Sequence, residues 1–259
     1  MSEAGAKTVL VEKNGVVTII TINRPASRNA VDPPTALLLR QAFAEFDADR
    51  EAAAAVLTGA GTSFCAGADL KAVAQGFPYE PEGEGPMGPT RMFVSKPVVA
   101  AIEGHAVAGG LELALWCDLR VASTTAVFGV FCRRWGVPLV DGGTVRLPRL
   151  IGHSRALDMI LTGRAVDAHE AYAFGLANRL VEAGQARREA EILARDIARF
   201  PQGCLKADRL SSYLQWGRDM GDALRIEGRG GDDTIRTASA KGAQRFAGGL
   251  GRSGDFDAI

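Results

Sequence analysis

Metal-binding side chains are scarce in this sequence. Its four cysteines, Cys65, Cys117, Cys132 and Cys204, lie far apart with no Cys-x-x-Cys pair, and only three histidines accompany them. That pattern argues against a cysteine–histidine metal cluster, so no metal site is expected, and free thiols in a reducing cytoplasm are the simplest reading. Cys65, Cys117 and Cys204 read as small buried hydrophobes. Net charge is missing as well, since 30 basic and 30 acidic residues cancel. No long-range field then draws nucleic acid or an anionic membrane to the surface, and any anionic ligand must be held locally. Apolar runs fall far short of a membrane span. Met1 to Lys7 is polar and no apolar stretch follows before Asn14, so no signal peptide is expected.

What is present suits a globular chain. With 259 residues and 47% hydrophobic content, it can bury one sizeable core, or a core with a small appendage. Val9 to Ile22 reads as a hairpin turning at Asn14-Gly15. Asp32-Pro33-Pro34 is an N-cap followed by proline at the first helical position, predicting a helix to about Asp49 with Leu37, Leu38, Phe43 and Phe46 facing inward. Ala53 to Gly59 is a short buried strand, and Asp69-Leu70 opens another helix. Gly76 to Pro89, dense in Gly, Pro and Glu, predicts a mobile loop over a site or at an edge. Strands follow at 97–102, 119–122 and 126–128, then helices from Gly142 to about Leu150 and from Gly152 to about Gly163. Strands alternating with helices up to about Leu180 predict an α/β core with parallel pairing. Residues 185 to 246 read as helical, broken at Phe200-Pro201 and around Gly228 to Gly231, with a frayed end from Gly248 to Asp255. The division expected is a core over residues 1–195 and a helical region over 196–259.

The chain is organised around Gly104 to Asp118. A strand-like run, Pro97 to Ile102, precedes it, and good helix formers run from Leu111 to Trp116, so Gly109 and Gly110 fall where a helix begins. The first N–H groups of a helix have no partner, and with the helix dipole behind them they can hold an oxygen that gains negative charge. Glu112 sits one turn in, near enough to move a proton on a group held there. Taken alone, Gly109-Gly110 reads more readily as a tight turn and Glu112 as an ordinary first-turn acid. A second glycine before a helix start, Gly67, offers the Ala68 N–H in the same way, and two such donors could face one oxygen.

Several pieces together resemble the crotonase, or enoyl-CoA hydratase/isomerase, superfamily. They are Asn23-Arg24-Pro25 with Asn29-Ala30, Phe64 to Leu70, Lys96 to Ala100, Gly104 to Asp118, Phe128-Gly129, Gly142-Gly143-Thr144 with Arg146-Leu147-Pro148, and Ala171 to Ala177. The resemblance implies an α/β spiral of ββα units with a C-terminal all-α trimerisation region, trimers that often pair into hexamers, and acyl-CoA thioesters as ligands. Coenzyme A enters as part of the substrate, with no separate cofactor. It also implies an oxyanion hole formed by the Ala68 and Gly109 N–H groups. By the same carry-over, Ala66, Ala68, Asp69, Leu70 and Lys71 lie along the coenzyme, and Arg28 and Ala30 line its groove. Arg28 is otherwise a solvated loop charge.

The resemblance also marks a departure. Family hydratases use two glutamates, of which the first matches Glu112 and the second falls on Cys132, a poor substitute with an unperturbed thiol pKa near 8.5. Asp141 matches an aspartate that a dihydroxynaphthoyl-CoA synthase branch of the family uses, or is the N-cap of the helix beginning at Gly142. Cys132 is a spectator thiol, or a nucleophile if Arg133 or Arg134 lowers its pKa. The expected activity is therefore that of an acyl-CoA-transforming enzyme, by default an enoyl-CoA hydratase. Isomerisation, thioester hydrolysis, C–C cleavage and a catalytically silent acyl-CoA-binding role remain open. His105 reads as a structural histidine at a strand end.

Overall fold

The computed structural model describes residues 7–76 and 79–254. The expectations for Met1 to Ala6, for positions 77 and 78 of the glycine-rich loop and for Asp255 lie outside the described residues. The chain divides into two compact units, residues 1–195 and 196–259.

In the first unit, β1 (Val9–Asn14) and β2 (Val17–Ile22) pair antiparallel with Val9 opposite Ile22 and Asn14 opposite Val17. Gly15 takes the turn at φ +61°, a conformation glycine adopts without steric cost. Helix α1 (Pro33–Ala48) starts as its sequence dictates: the Asp32 carboxylate accepts the Thr35 N–H at 3.0 Å, and proline fills the first turn. Its buried face is Leu39, Phe43 and Phe46, whereas Leu37 and Leu38 are exposed. The helix thus turns a different stripe inward from the one its leucines suggested, with the Phe43 ring edge-on to Trp116 at 4.7 Å.

β3 (Ala54–Gly59) joins β2 in parallel, with Ile20 opposite Leu57. A short α2 (Leu70–Ala74) leads, through the long loop, to β4 (Val98–Ile102), β5 (His105–Val107), α3 (Gly109–Trp116), β6 (Leu119–Ser123) and β7 (Val127–Gly129). After a 3-10 turn at Phe131–Trp135 come α4 (Gly143–Ile151), α5 (His153–Thr162), β8 (Val166–Asp167), α6 (Ala168–Ala173) and β9 (Arg179–Val181). The larger sheet has the order β1-β2-β3-β4-β6-β9 and is parallel from β2 onward; β5, β7 and β8 form a second, small sheet. Every residue of β2 and β4 is buried. Parallel strands covered on both faces need such continuous apolar runs. Two polar side chains are buried at helix ends: the Lys96 ammonium donates to the Phe46 and Asp49 carbonyls, and the Arg120 guanidinium to the Ala114, Cys117 and Leu176 carbonyls. Each satisfies carbonyls that the end of a helix leaves without partners.

α7 (Ala186–Arg199) carries the chain into the second unit, where α8 (Gln202–Leu214) packs on α9 (Met220–Thr234), followed by a π-helical turn at Ile235–Ser239 and α10 (Ala240–Ala247). The break at Phe200-Pro201 is present. The break predicted around Gly228 to Gly231 is not, because α9 runs through it. Each glycine costs a helix only about 1 kcal/mol against alanine, and this one is anchored by Asp219, whose carboxylate caps the Asp222 N–H at 2.8 Å. A Cβ on Gly230 would meet nothing within 4 Å. Gly230→Ala is therefore expected to stabilise the helical unit by about 0.8 kcal/mol, read as a higher urea midpoint; an unchanged or lower midpoint would show that the glycine is needed there. Cys204 is exposed in α8 rather than buried, because its helix turns that face outward, whereas Cys65, Cys117 and Cys132 are buried.

Candidate active site

Two glycine turns meet beneath the small sheet. Residue Cys65 is tied to β5 on both sides, its N–H donating to the His105 carbonyl at 2.9 Å and its carbonyl accepting the Val107 N–H at 3.1 Å. Ala68 pairs across from Val31, but the bonds run from Val31 N–H to the Gly67 carbonyl and from Asp69 N–H to the Val31 carbonyl, each 2.8 Å. Alternate peptide groups of an extended chain point to opposite sides, so the Ala68 N–H is turned away from Val31 and has no partner among the described residues.

The other turn is strained into place. Ala108 sits at φ +54°, ψ −126°, a region that residues with a Cβ rarely occupy and that costs on the order of 1–3 kcal/mol. Its N–H donates to the Gly129 carbonyl at 2.8 Å and its carbonyl accepts the Glu112 N–H, leaving Gly109 as the first residue of α3 with its own N–H unpartnered. The turns touch closely: a Cβ built on Gly67 would lie 3.0 Å from the Gly109 nitrogen, and one on Gly110 would lie 2.1 Å from the Cys65 carbonyl oxygen. Two amides with no partner among the described residues thus stand in adjacent turns.

Both line one cavity of about 420 Å³. Ala66, Ala68 and Leu70 form one side and Ala108, Gly109 and Glu112 another; Tyr79, Pro86 and Met87 come from the long loop, and Phe131, Cys132 and Trp135 from the 3-10 turn. Val137, Pro138, Val140 and Asp141 complete the wall.

Glu112 is 2% exposed. Its Oε1 accepts the N–H groups of Asp141 and Gly143, both at 2.8 Å, and Oε2 has no hydrogen bond within the described residues. Gly143 must lack a side chain here, since its Cβ would lie 2.9 Å from that Oε1. Burial, then the nearby Asp141 charge, pushes the Glu112 carboxyl up to about 7, against the lowering effect of the two N–H groups. Asp141 is equally buried. Its Oδ1 accepts the Met87 N–H at 3.0 Å and the Thr90 hydroxyl. Burial raises its pKa too, opposed by the Thr90 and Met87 hydrogen bonds and by Arg91 and Arg146. Asp141 does not cap α4, whose N-cap is Gly142 at φ +95°; the carboxylate faces the long loop instead. Cys132 borders the cavity, and burial followed by the Glu112 charge raises its thiol pKa, outweighing Arg133. The lowered thiol that a nucleophilic role requires is thus absent.

A protein-family model described as enoyl-CoA hydratase/isomerase matches residues 12–247. The chain belongs to the enoyl-CoA hydratase/isomerase family. Among its relatives, enoyl-CoA hydratase EchA19 of Mycobacterium tuberculosis is 41% identical over 196 residues, 73% of this chain and 74% of that protein. A short-chain-enoyl-CoA hydratase of Clostridium acetobutylicum is 34% identical over 241 residues, 91% and 92% of the two chains. The crystal structure of enoyl-CoA hydratase EchA1 from Mycobacterium marinum superposes with a TM-score of 0.88 at 37% identity, covering 93% of this chain and 95% of that one. The enoyl-CoA hydratase/isomerase fold, with two sheets and C-terminal helices, is that of this chain.

Within this family frame, the residues singled out from sequence separate into two groups. Ala66, Ala68, Leu70, Gly109, Glu112, Cys132 and Asp141 converge on the cavity. Arg28, Ala30, Asp69 and Lys71 are not part of its wall. Arg28 borders a second depression beside Glu103 and His105, and Asp69 pairs with Arg24 at 3.0 Å while capping the Lys71 N–H. The Ala30 carbonyl accepts from Arg24, so the Asn-Arg-Pro segment braces the Ala68 turn from behind. Sequence reasoning missed Met87, Thr90, Arg91 and Arg146. Thr90 and Met87 are buried at the end of a segment read as mobile, and only the apolar Met87 amid polar residues hinted at it. No described group of three or more His, Cys, Asp or Glu is placed to hold a metal.

Proposed function

We propose that this enzyme hydrates 2-enoyl-CoA thioesters reversibly, using Glu112 and Asp141 as its carboxyl pair in place of a carboxylate at position 132. The observation that carries this is a single cavity walled by two amides and two buried carboxyls; among the described residues the amides have no partner and each carboxyl has one oxygen without a hydrogen bond. The thioester oxygen sits between the Ala68 and Gly109 N–H groups, which hold the charge that grows on it as the enolate forms. Two carboxyls in different hydrogen-bonding environments can divide the work of acid and base. Glu112, held at about 7, is the group assigned to carry a proton near neutral pH, and Asp141, whose Oδ1 accepts from Met87 and Thr90, is assigned the base. In the hydration direction Asp141 takes a proton from the water that adds to C3, and Glu112 delivers one to C2. Ala66 to Leu70 run beside the coenzyme, and Arg28, Ala30, Asp69 and Lys71 act on its groove from outside the acyl cavity.

The decisive experiment is hydration of a 2-enoyl-CoA by the wild type and by Asp141→Asn. Asparagine keeps an oxygen for Met87 and Thr90 but cannot accept the proton, so kcat is expected to fall about 10²-fold or more. Hydration at the wild-type rate by the variant would remove Asp141 from the chemistry. Because the acid form of Glu112 is needed, kcat/KM for hydration is expected to fall as pH rises through about 7; a profile flat from pH 6 to 8 would overturn that assignment.

Exposed Met220, Leu224, Ile235 and Phe246 in the C-terminal helical region support self-association as trimers, or pairs of trimers, through residues 196–259, because they offer apolar surface that another copy could cover. Sedimentation equilibrium is expected to give at least three chains, and a monomer at micromolar concentration would refute it. Four unpaired thiols support a reducing, cytoplasmic setting. No described helix is long and apolar enough to cross a membrane.

A further inference from the structure

The cavity wall contains a staple that the chemistry above does not use. The Arg91 guanidinium donates to the Pro81 and Gly83 carbonyls at 2.9 and 2.8 Å, more weakly to that of Glu80 at 3.2 Å, and across to the Val140 carbonyl at 3.0 Å. It also lies over the Tyr79 ring, 5.8 Å from its centroid. One side chain therefore gathers the 79–83 loop and fixes it to the segment that bears Asp141. The planar fork of arginine suits this task, because it reaches several carbonyls at fixed angles.

The wall so held is apolar. Tyr79, Pro86, Met87, Val140 and Trp135 face the cavity, and no Lys, Arg or His lines it among the described residues. The two guanidinium groups that act on Asp141 donate to main-chain carbonyls, Arg91 as above and Arg146 to those of Asp141 and Thr90. The carboxyl groups that face the cavity are Glu112 and Asp141. An acyl group with its own carboxylate would lose its hydration there and find acidic groups and no cation.

We infer that Arg91 is a positioning residue for acyl selection: by holding the Tyr79 loop against Val140 it builds a wall that takes uncharged, apolar acyl groups longer than four carbons. This selectivity presupposes the thioester site proposed above and names its substrate class. Calorimetric titration of the full-length protein with butyryl-, octanoyl- and succinyl-CoA tests it without requiring turnover. Each methylene buried contributes about fourfold in affinity, so octanoyl-CoA is expected to bind on the order of 100-fold tighter than butyryl-CoA. Succinyl-CoA is expected to bind more weakly than butyryl-CoA. Arg91→Ala is expected to weaken octanoyl-CoA about tenfold, the contact of one to two methylenes, with butyryl-CoA changed less than about twofold. Tyr79→Ala, which removes the wall and keeps the staple, is expected to show the same asymmetry and serves if Arg91→Ala does not fold. Equal affinity for the two chain lengths, preference for succinyl-CoA, or an equal loss for both lengths in the variants would overturn the inference while leaving hydration intact. Failure to bind any of the three thioesters would overturn the proposed function itself.

Discussion

Glu112→Gln is expected to lower kcat for hydration of an enoyl-CoA by about 10³-fold, within the range that removal of a general acid brings. Glutamine preserves the scaffold, since its carbonyl oxygen can still accept the Asp141 and Gly143 N–H groups that now meet Oε1 at 2.8 Å. It cannot deliver a proton to carbon. KM should change little, because the two amides proposed to hold the thioester oxygen are untouched.

The same substitution has a stability signature with a definite sign. The Glu112 carboxyl lies above its ordinary value of 4.5, at about 7 in the folded protein. A raised carboxyl means that the folded state binds its proton more tightly than the unfolded chain, so the group favours folding most below about pH 4.5. That contribution is lost as pH climbs to about 7, and amounts to roughly 3 kcal/mol. Glutamine has no charge to bury. The stability of the variant relative to wild type is therefore expected to improve between pH 5 and pH 8, measured by urea unfolding at both. Parallel pH dependence in the two proteins would show that Glu112 is not perturbed, and wild-type turnover by the variant would show that it is not catalytic.

Gly110→Ala is expected to be the most damaging of the glycine changes at the site. Its Cβ would lie 2.1 Å from the Cys65 carbonyl oxygen and 2.7 Å from the carbonyl carbon. Both are main-chain atoms held by β5, so they cannot yield without separating the two turns. A loss of about 3 kcal/mol in stability is expected, at the upper end of overpacking costs, with turnover falling further than folding alone explains if the Ala68 and Gly109 amides act together as proposed. Gly109→Ala makes an informative contrast. Its Cβ would meet the Met87 thioether, 2.6 Å from the sulfur, and a flexible side chain can move away. Gly110→Ala protein with wild-type unfolding and full turnover would mean that the turns can part without consequence.

How legible the protein was from sequence differs by element. The β1–β2 hairpin, the Asp32 cap and the parallel strands were readable because each depends on neighbours along the chain: a turn dipeptide, a capping residue with proline, a continuous apolar run. Gly109 at the start of α3, with Glu112 one turn in, was readable for the same reason. The failures have separate origins. Leu37 and Leu38 face outward because packing on Trp116 sets the rotation of α1. The glycines of α9 are tolerated because propensity is a weak preference that a capped helix overrides.

The sequence by itself determined that this is an α/β chain with two glycine turns, each able to present a main-chain amide, and a glutamate beside one of them. Only the tertiary structure decided that Asp141 faces Met87 and Thr90 instead of capping its helix, that Cys132 is a buried thiol with a raised pKa, and that Arg91 ties Tyr79 to Val140. Local backbone chemistry acts over a few residues and is written in their order. Burial, desolvation and the meeting of groups 29 or 54 positions apart arise only once the chain has folded back on itself.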